Sequence, residues 1–430
     1  MSLLAQEKQI DGARQVAGQR WTRAARALAM CGACLAGAAA QAGEAEVLHY
    51  WQPDEKSTLI LKEMLKQQGH AWKDFVIIPG GSNGLLNSLL KSRVESGNPP
   101  FAALLRAPVA RHWGRKQRLA NLDDAARAGR WDEALPPAIR AAVKDQDRYI
   151  AVPVSVYQEN GLWLNNRLLR QAGASAPHDW PSFFDAADKL RRAGVVAVAH
   201  GGQQRGNLHL FSSVALGVGG PEFYRRAFVE RDPAALSGEV MEKVLLTFRR
   251  IKPYTRADIG QRDWQDVSRD LVDDKAAMVF MGGWATPVFA AAKARSGFDY
   301  SCVAAPGSAG AVSYLIDSFA MFRLHSPQQA LAQQQFAAGL LAPAVQARLN
   351  RERGAIPARA DTDMAGFDAC ARQSAAAYRK AEAADMLVPS FALAVTAPRE
   401  IEVAEIVSAF WIDDSMAPGT AMKLLAAAMK

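Results

Sequence analysis

Leu48-His49-Tyr50-Trp51-Gln52-Pro53-Asp54-Glu55 sets two adjacent aromatics behind a short apolar run, with a carboxylate four residues after Trp51. A loop at the carboxyl end of a strand is where open α/β sheets bind their ligands. The residue types fit the surface of a sugar ring. Flat aromatics cover its apolar C–H faces. Carboxylates and amides pair with its hydroxyls, because a buried polar group without a partner costs roughly 1–3 kcal/mol. Read locally, the same aromatics at a strand end serve equally well as core.

Further candidates lie far along the chain. Trp264 and Trp284 stand out among ten tryptophans in 430 residues, as core or as the wall of a cleft, and the wall is the expectation. Asp317 lies between apolar residues of a strand-like run, so it needs a ligand or an internal donor, and a ligand is the expectation. Glu55 and Asp317 could be taken for the acid/base pair of a glycosidase. No nucleophile–base constellation accompanies them, so an enzyme is not expected. His200 and His209 read as structural, and no histidine spacing suggests a metal or cofactor. The glycine turn at 80–84 lacks the Lys-Ser/Thr of a phosphate loop and the spacing of a dinucleotide site.

These residues need elements to position them. Lys56 to Gln68 reads as a helix with Leu61, Met64 and Leu65 on its buried stripe. Phe75 to Ile78 is an apolar strand, and Leu85 to Val94 a helix of clear 3.6-residue period stopped at Gly97. Ala102 to Leu105 is a third strand ending at Arg106. This β-α-β-α-β order argues for a parallel sheet covered by helices. Tyr149 to Val154 reads as a strand broken by Pro153. Val195 to Ala199, Ala276 to Met281, Cys302 to Ala305 and Leu315 to Arg323 read as strands. Trp180 to Ala193, Leu208 to Gly217 and Gly238 to Ile251 read as helices, and Phe367 to Lys430 as a helical tail.

A chain of 430 residues exceeds what one core usually spans, so two lobes are expected. Half the residues are hydrophobic and about a fifth charged, as in a soluble globular protein. The net charge is +8, but residues 1–42 hold five bases against two acids, which leaves +5 for the remainder. Without a dense Lys/Arg run this reads as a solvated surface, and no nucleic-acid partner is expected. Arg20, Arg23 and Arg26, the apolar run Ala27 to Ala40 and the site Ala40-Gln41-Ala42 read as a signal peptide over 1–42, with Gly43 as the new N-terminus. Cys31 and Cys34 would leave with it. Cys302 and Cys370 remain as an even pair in an oxidising compartment, and a disulfide is expected rather than two free thiols.

The chain also resembles the family 1 extracellular solute-binding proteins of ABC transporters, and within them the glucose/mannose-binding branch. The stretches that carry the resemblance are Tyr50-Trp51, Lys91-Ser92-Arg93-Val94, Gly97-Asn98-Pro99-Pro100, Asn121-Leu122-Asp123-Asp124 and Ala151-Val152-Pro153-Val154. His200-Gly201-Gly202-Gln203, Lys275 to Met278, Gly282-Gly283-Trp284, Asp317 to Met321, Gly354 to Arg359 and Leu387 to Ser390 continue it in order. The resemblance implies a two-lobed α/β periplasmic-binding-protein fold of type II, with a ligand cleft between lobes joined by three crossings. The expected lobes are 43–153 with 312–358, and 154–311 with 359–430. It further implies a monomeric, periplasmic, non-enzymatic receptor that closes on a small carbohydrate and delivers it to a membrane permease. The alternative is an exported sensor or diverged paralogue that no longer binds hexose.

Carried over by position, Trp51 matches a stacking tryptophan, Tyr50 stands where another Trp is usual, and Glu55 and Asp317 match hydroxyl-binding acids. Arg106 stands for Lys or His, Arg353 stands for Lys, and Trp264 and Trp284 match the opposite wall. Leu104 and Leu393 stand where the family has glutamine and histidine contacts. Phe101 and Gly283 replace aspartates, and Tyr157 a histidine. Two lost donors would cost about 10²–10⁴ in hexose affinity. The expectation is therefore a ligand less polar at one edge, waters in place of the missing groups, or lost sugar binding.

Overall fold

The computed structural model describes residues 44–52, 55–76, 83–256 and 262–430. The features read over 1–42, the strand end at Ile77-Ile78 and the Pro79–Ser82 part of the glycine turn lie outside the described residues.

β1 (Glu44–His49) is followed by α1 (Lys56–Gln67), which buries Ile60, Leu61, Met64 and Leu65 on the face its period requires. β2 (Ala71–Val76) runs parallel to β1 in the register Glu44↔Ala71 to His49↔Val76. β3 (Ala102–Leu105) lies parallel on the other side of β1, with Leu48 opposite Ala103. All of β3 is buried, as expected of a strand covered on both faces. A short hairpin, β4 (Lys144–Asp145) and β5 (Arg148–Tyr149), precedes β6 (Val152–Gln158).

A second sheet contains β7 (Gly161–Asn165), β8 (Val198–Ala199), β9 (Met278–Phe280) and β10 (Tyr300–Ala304), in the order β10-β7-β9-β8. Side chains alternate across it as a pleat demands. Leu162, Leu164, Met278 and Phe280 enter the main core of this lobe, whereas Trp163 and Val279 face a smaller cluster with Leu271 and Phe289.

β11 (Val312–Met321) then returns to the first sheet, antiparallel to both β3 and β6, and β12 (Leu387–Pro389) adds in parallel beside its start. Three segments join the two lobes: Glu159-Asn160 between β6 and β7, 305–311 between β10 and β11, and the stretch after β12, where Ala392 and Leu393 still pack in the first core and Val395 and Val403 in the second, later than the expected boundary at 358/359. Within the first lobe, Ile356 exchanges two backbone hydrogen bonds with Val156.

Three further details differ from the sequence reading. Pro153 does not break its strand. β6 passes through it, with Pro153 opposite Ser318 and a register shift at Asp317/Ser318, the kind of irregularity that accommodates a residue without an N–H. Only Val198–Ala199 of the expected 195–199 strand pairs. The tail is not wholly helical, since it supplies β12. It is also divided between cores: Ala375, Tyr378 and Ala381 pack into the first, and Val403, Val407 and Phe410 into the second. Cys302 on β10 and Cys370 at the start of the helix Ala369–Ala383 form a disulfide, with Cα atoms 5.9 Å apart.

Candidate functional site

All eight residues singled out above line one cavity of about 260 Å³ between the lobes. Tyr50 and Trp51 leave the end of β1, Glu55 precedes α1, and Arg106 follows β3. Asp317 is in the middle of β11, and Arg353 closes the helix Pro343–Arg353. Opposite them, Trp264 opens the helix Trp264–Val272, and Trp284 lies in the one-turn helix Gly283–Ala285 behind β9. The carboxyl ends of β1, β3, β8 and β9 thus all supply lining residues, the placement open α/β sheets use.

Asp317 is buried at the bulge between β6 and β11, and a bulge re-aims a side chain. Its carboxylate accepts the Tyr50 hydroxyl at 2.5 Å and the Trp51 indole N–H at 3.2 Å. Arg353 Nη2 is 3.8 Å away. The acid therefore meets internal donors. Burial, and then the charge of Asp317, hold the Tyr50 hydroxyl well above its ordinary pKa, so it remains a donor.

Arg353 binds this corner together. Nε donates to Tyr157 Oη at 2.7 Å, and Nη1 donates to Glu55 at 3.1 Å and Ser57 at 3.2 Å. The guanidinium lies 3.8 Å from the Trp51 ring centre, a desolvated cation–π contact. Burial works against its charge, but Tyr157, Glu55 and Asp317 outweigh burial and raise its pKa. Trp51 is only 3 % exposed and also meets the edge of Phe319. Both carboxylates that might pass for an acid/base pair, Glu55 and Asp317, share this arginine as counter-ion.

On the other wall Trp264 and Trp284 are half-buried. Tyr157 and His209 meet Trp284 edge-on at 5.5 and 5.6 Å, and its N–H donates to Met281 Sδ. Burial lowers both His200 and His209 to about 4, so they line the cavity as neutral rings.

Several lining residues were not singled out from the sequence: Glu159, Gln203, Arg205, Gln265 and Glu400. The strand-end rule reaches some of them, since Glu159 directly follows β6, and Gln203 and Arg205 sit where β8 hands over to the helix Gln204–Tyr224. No local signal marks Glu400, which arrives on the tail helix Ala397–Ile412 and accepts from Arg106 at 3.3 Å. Burial pushes the Glu159 carboxyl up to about 7. Arg106 and Arg205 pull it down, and Glu400 and Asp317 push it further up.

The apolar replacements expected to impoverish the site face elsewhere. Leu104 pairs with Phe319 inside the first sheet, Phe101 packs on Phe336, and Leu393 lies in the first core. At Gly283, the space of a side chain is filled by the Gly354 carbonyl. Among the described residues none of the four lines the main cavity, and Leu104 lines a small pocket beside it with Tyr50, Arg106 and Glu400. Tyr157 does line the main cavity and is committed to Arg353.

The family model for bacterial extracellular solute-binding protein matches residues 58–347. A probable sugar-binding periplasmic protein of Rhizobium meliloti is 35 % identical over 342 residues, covering 79 % of this chain and 82 % of its own. A protein of the same description from Brucella suis is 32 % identical, covering 83 % and 85 %. Among solved structures, a chitin oligosaccharide binding protein superposes with a TM-score of 0.76 at 16 % identity, over 90 % of this chain and 98 % of its own. The bacterial solute receptor AcbH, described as having an exclusive preference for β-D-galactopyranose, gives 0.77 at 15 % identity with the same coverage. At such identities these likenesses speak for the fold.

Proposed function

Because the chain belongs to the bacterial extracellular solute-binding proteins, we infer that it is the periplasmic carbohydrate receptor of an ABC-type uptake system, taking a small sugar of the glucose or mannose kind and presenting it to a membrane permease. Members of this family bind solute and do not transform it. The observation that carries the reading is the make-up of one cavity. Half-buried indoles of Trp264 and Trp284 form one wall, and the hydrogen-bonded corner of Glu55, Asp317 and Arg353 stands opposite. Indole faces take the C–H side of a pyranose, and fixed charged groups take its hydroxyls with charge-assisted hydrogen bonds. A volume of about 260 Å³ is small beside the roughly 300–1,000 Å³ common for ligand pockets, which favours one or two sugar rings over a longer oligosaccharide. Trp51 acts in this scheme through the guanidinium it supports.

The test is a thermal-shift screen of glucose, mannose, galactose, xylose and maltose, followed by calorimetric titration. A ligand at 100 times its Kd adds about 2.7 kcal/mol of stability, a shift of several degrees. A midpoint unmoved by every carbohydrate but raised by amino acids or peptides would overturn the reading.

A further inference from the structure

We propose that Glu159 and Arg205 touch the ligand and restrict the cleft to uncharged sugars, rejecting both sugar acids and amino sugars. The inference rests on the carbohydrate reading above and adds the charge class of the ligand. Its basis is how the charges facing the cavity are partnered. Arg353 is tied to Glu55 and Asp317, Arg106 to Glu400, and Arg262 to Asp270. Glu159 and Arg205 also line the cavity, yet among the described residues neither side chain makes a hydrogen bond or ion pair. They come from different parts of the fold. Glu159 sits on the first crossing between the lobes, and Arg205 in the first turn of the helix Gln204–Tyr224.

Glu159 and Arg205 feel each other and their neighbours Arg106 and Glu400 through space, so on one small cavity their charges largely cancel at long range. At short range each needs a neutral polar partner. Ring hydroxyls supply it, donating to the carboxylate and accepting from the guanidinium. A uronate would gain from Arg205 but set like charge beside Glu159. A protonated amino sugar would gain from Glu159 but meet Arg205. Selectivity by such unfavourable juxtaposition is a difference of affinities, and removing one charge should shift it in a stated direction.

The experiment titrates glucose, galactose and mannose, their uronic acids and their 6-amino-6-deoxy counterparts, whose ammonium stays charged, into the wild type, Glu159→Gln and Arg205→Gln at pH 8. Expected is at least 10-fold tighter wild-type binding of one neutral hexose than of its charged analogues. Both variants should bind that hexose about 10-fold more weakly. The gap to the uronate should narrow in Glu159→Gln, and the gap to the amine in Arg205→Gln. Wild-type protein that binds a charged analogue as tightly as the hexose overturns the inference without recourse to a variant. So do variants that keep wild-type ratios. Failure of every sugar, neutral or charged, to bind the wild type instead overturns the carbohydrate reading, and this inference with it.

Discussion

Tyr50 gives its hydroxyl hydrogen bond to Asp317 at 2.5 Å and so ties the end of β1 to the middle of β11 across 267 positions of sequence. With the Trp51 N–H on the second oxygen, each carboxylate oxygen takes one donor from the first lobe and keeps acceptor capacity. Tyr50→Phe should lower the unfolding free energy by about 1.5–3 kcal/mol, the worth of a hydrogen bond to a charged group. Asp317→Ala should cost more, about 3–5 kcal/mol, because it strips a counter-ion from the buried Arg353. Urea unfolding measures both, and equal losses would show that Arg353 does not depend on Asp317.

The tryptophans of the two walls should separate by mutation. Trp51 is buried under Arg353 and against Phe319, so Trp51→Ala opens a cavity and should cost about 3–5 kcal/mol. Trp264→Ala removes a half-buried ring. It should leave the midpoint within a few degrees of wild type while weakening sugar about 10- to 100-fold. Parallel melts and titrations check the contrast, and a Trp264→Ala protein with wild-type affinity would remove that ring from the binding wall.

Glu159 makes stability depend on pH in an unusual direction for an acid. Its folded pKa is about 7 against an ordinary 4.5, so between those values the folded protein holds a proton that the unfolded chain has released. Stability from this group is present below about pH 4.5 and is lost as pH rises through 7. The charged groups facing it are Arg106, Arg205, Glu400 and Asp317, with the Tyr224 hydroxyl nearby. Glu159→Gln should equal wild type near pH 4.5 and exceed it by about 1–3 kcal/mol at pH 8. Denaturant melts of both proteins across that range measure the difference, which should grow with pH.

The disulfide joins positions 68 residues apart and holds the edge strand β10 to the helix that begins at Ala369. Replacing both Cys302 and Cys370 by Ser should cost about 2–4 kcal/mol. Neither cysteine lines the cavity, so sugar affinity should stay within about threefold of wild type at a temperature where the variant is folded.

Much of this was legible in the chain, and what escaped has a physical reason. α1, β3 and the helix Trp180–Arg192 follow from period and caps. The Asp179/Ser182 capping box fixes the last of these, whatever packs on it. Site residues at strand ends were reachable because sheet topology puts strand ends at ligands. Asp317 was found as a lone acid in an apolar strand, but its partners could not be, since Tyr50 and Trp51 meet it only after β11 has inserted antiparallel beside β3. Glu400 and the packing of the tail depend on contacts made across hundreds of residues, which no local pattern encodes. Leu104 and Leu393 lie outside the main cavity for the converse reason: a position matched to a contact in related chains does not fix which way its side chain points here.

Gly283 and Gly354 press the turn carrying Trp284 against the end of the helix carrying Arg353. A Cβ on Gly283 would overlap the Gly354 carbonyl oxygen, and one on Gly354 would overlap the Thr286 side chain. Gly354 also has φ +61°, where any side chain is strained. The spacing of the two cavity walls is therefore set by backbone against backbone, which cannot yield as a flexible side chain would. Gly283→Asp, the residue expected there from the resemblance, should force the walls apart, lowering the midpoint and weakening sugar at least 100-fold together. Gly310→Ala serves as the control. It has φ +85° with nothing closer than Met386 at 4.0 Å, so it carries strain of roughly 1–2 kcal/mol without a clash and should leave affinity unchanged. Should Gly283→Ala match Gly310→Ala in both stability and affinity, the close approach is not what holds Trp284 opposite Arg353, and the geometry of the cleft must be maintained by side-chain contacts such as Tyr157 on Trp284 instead.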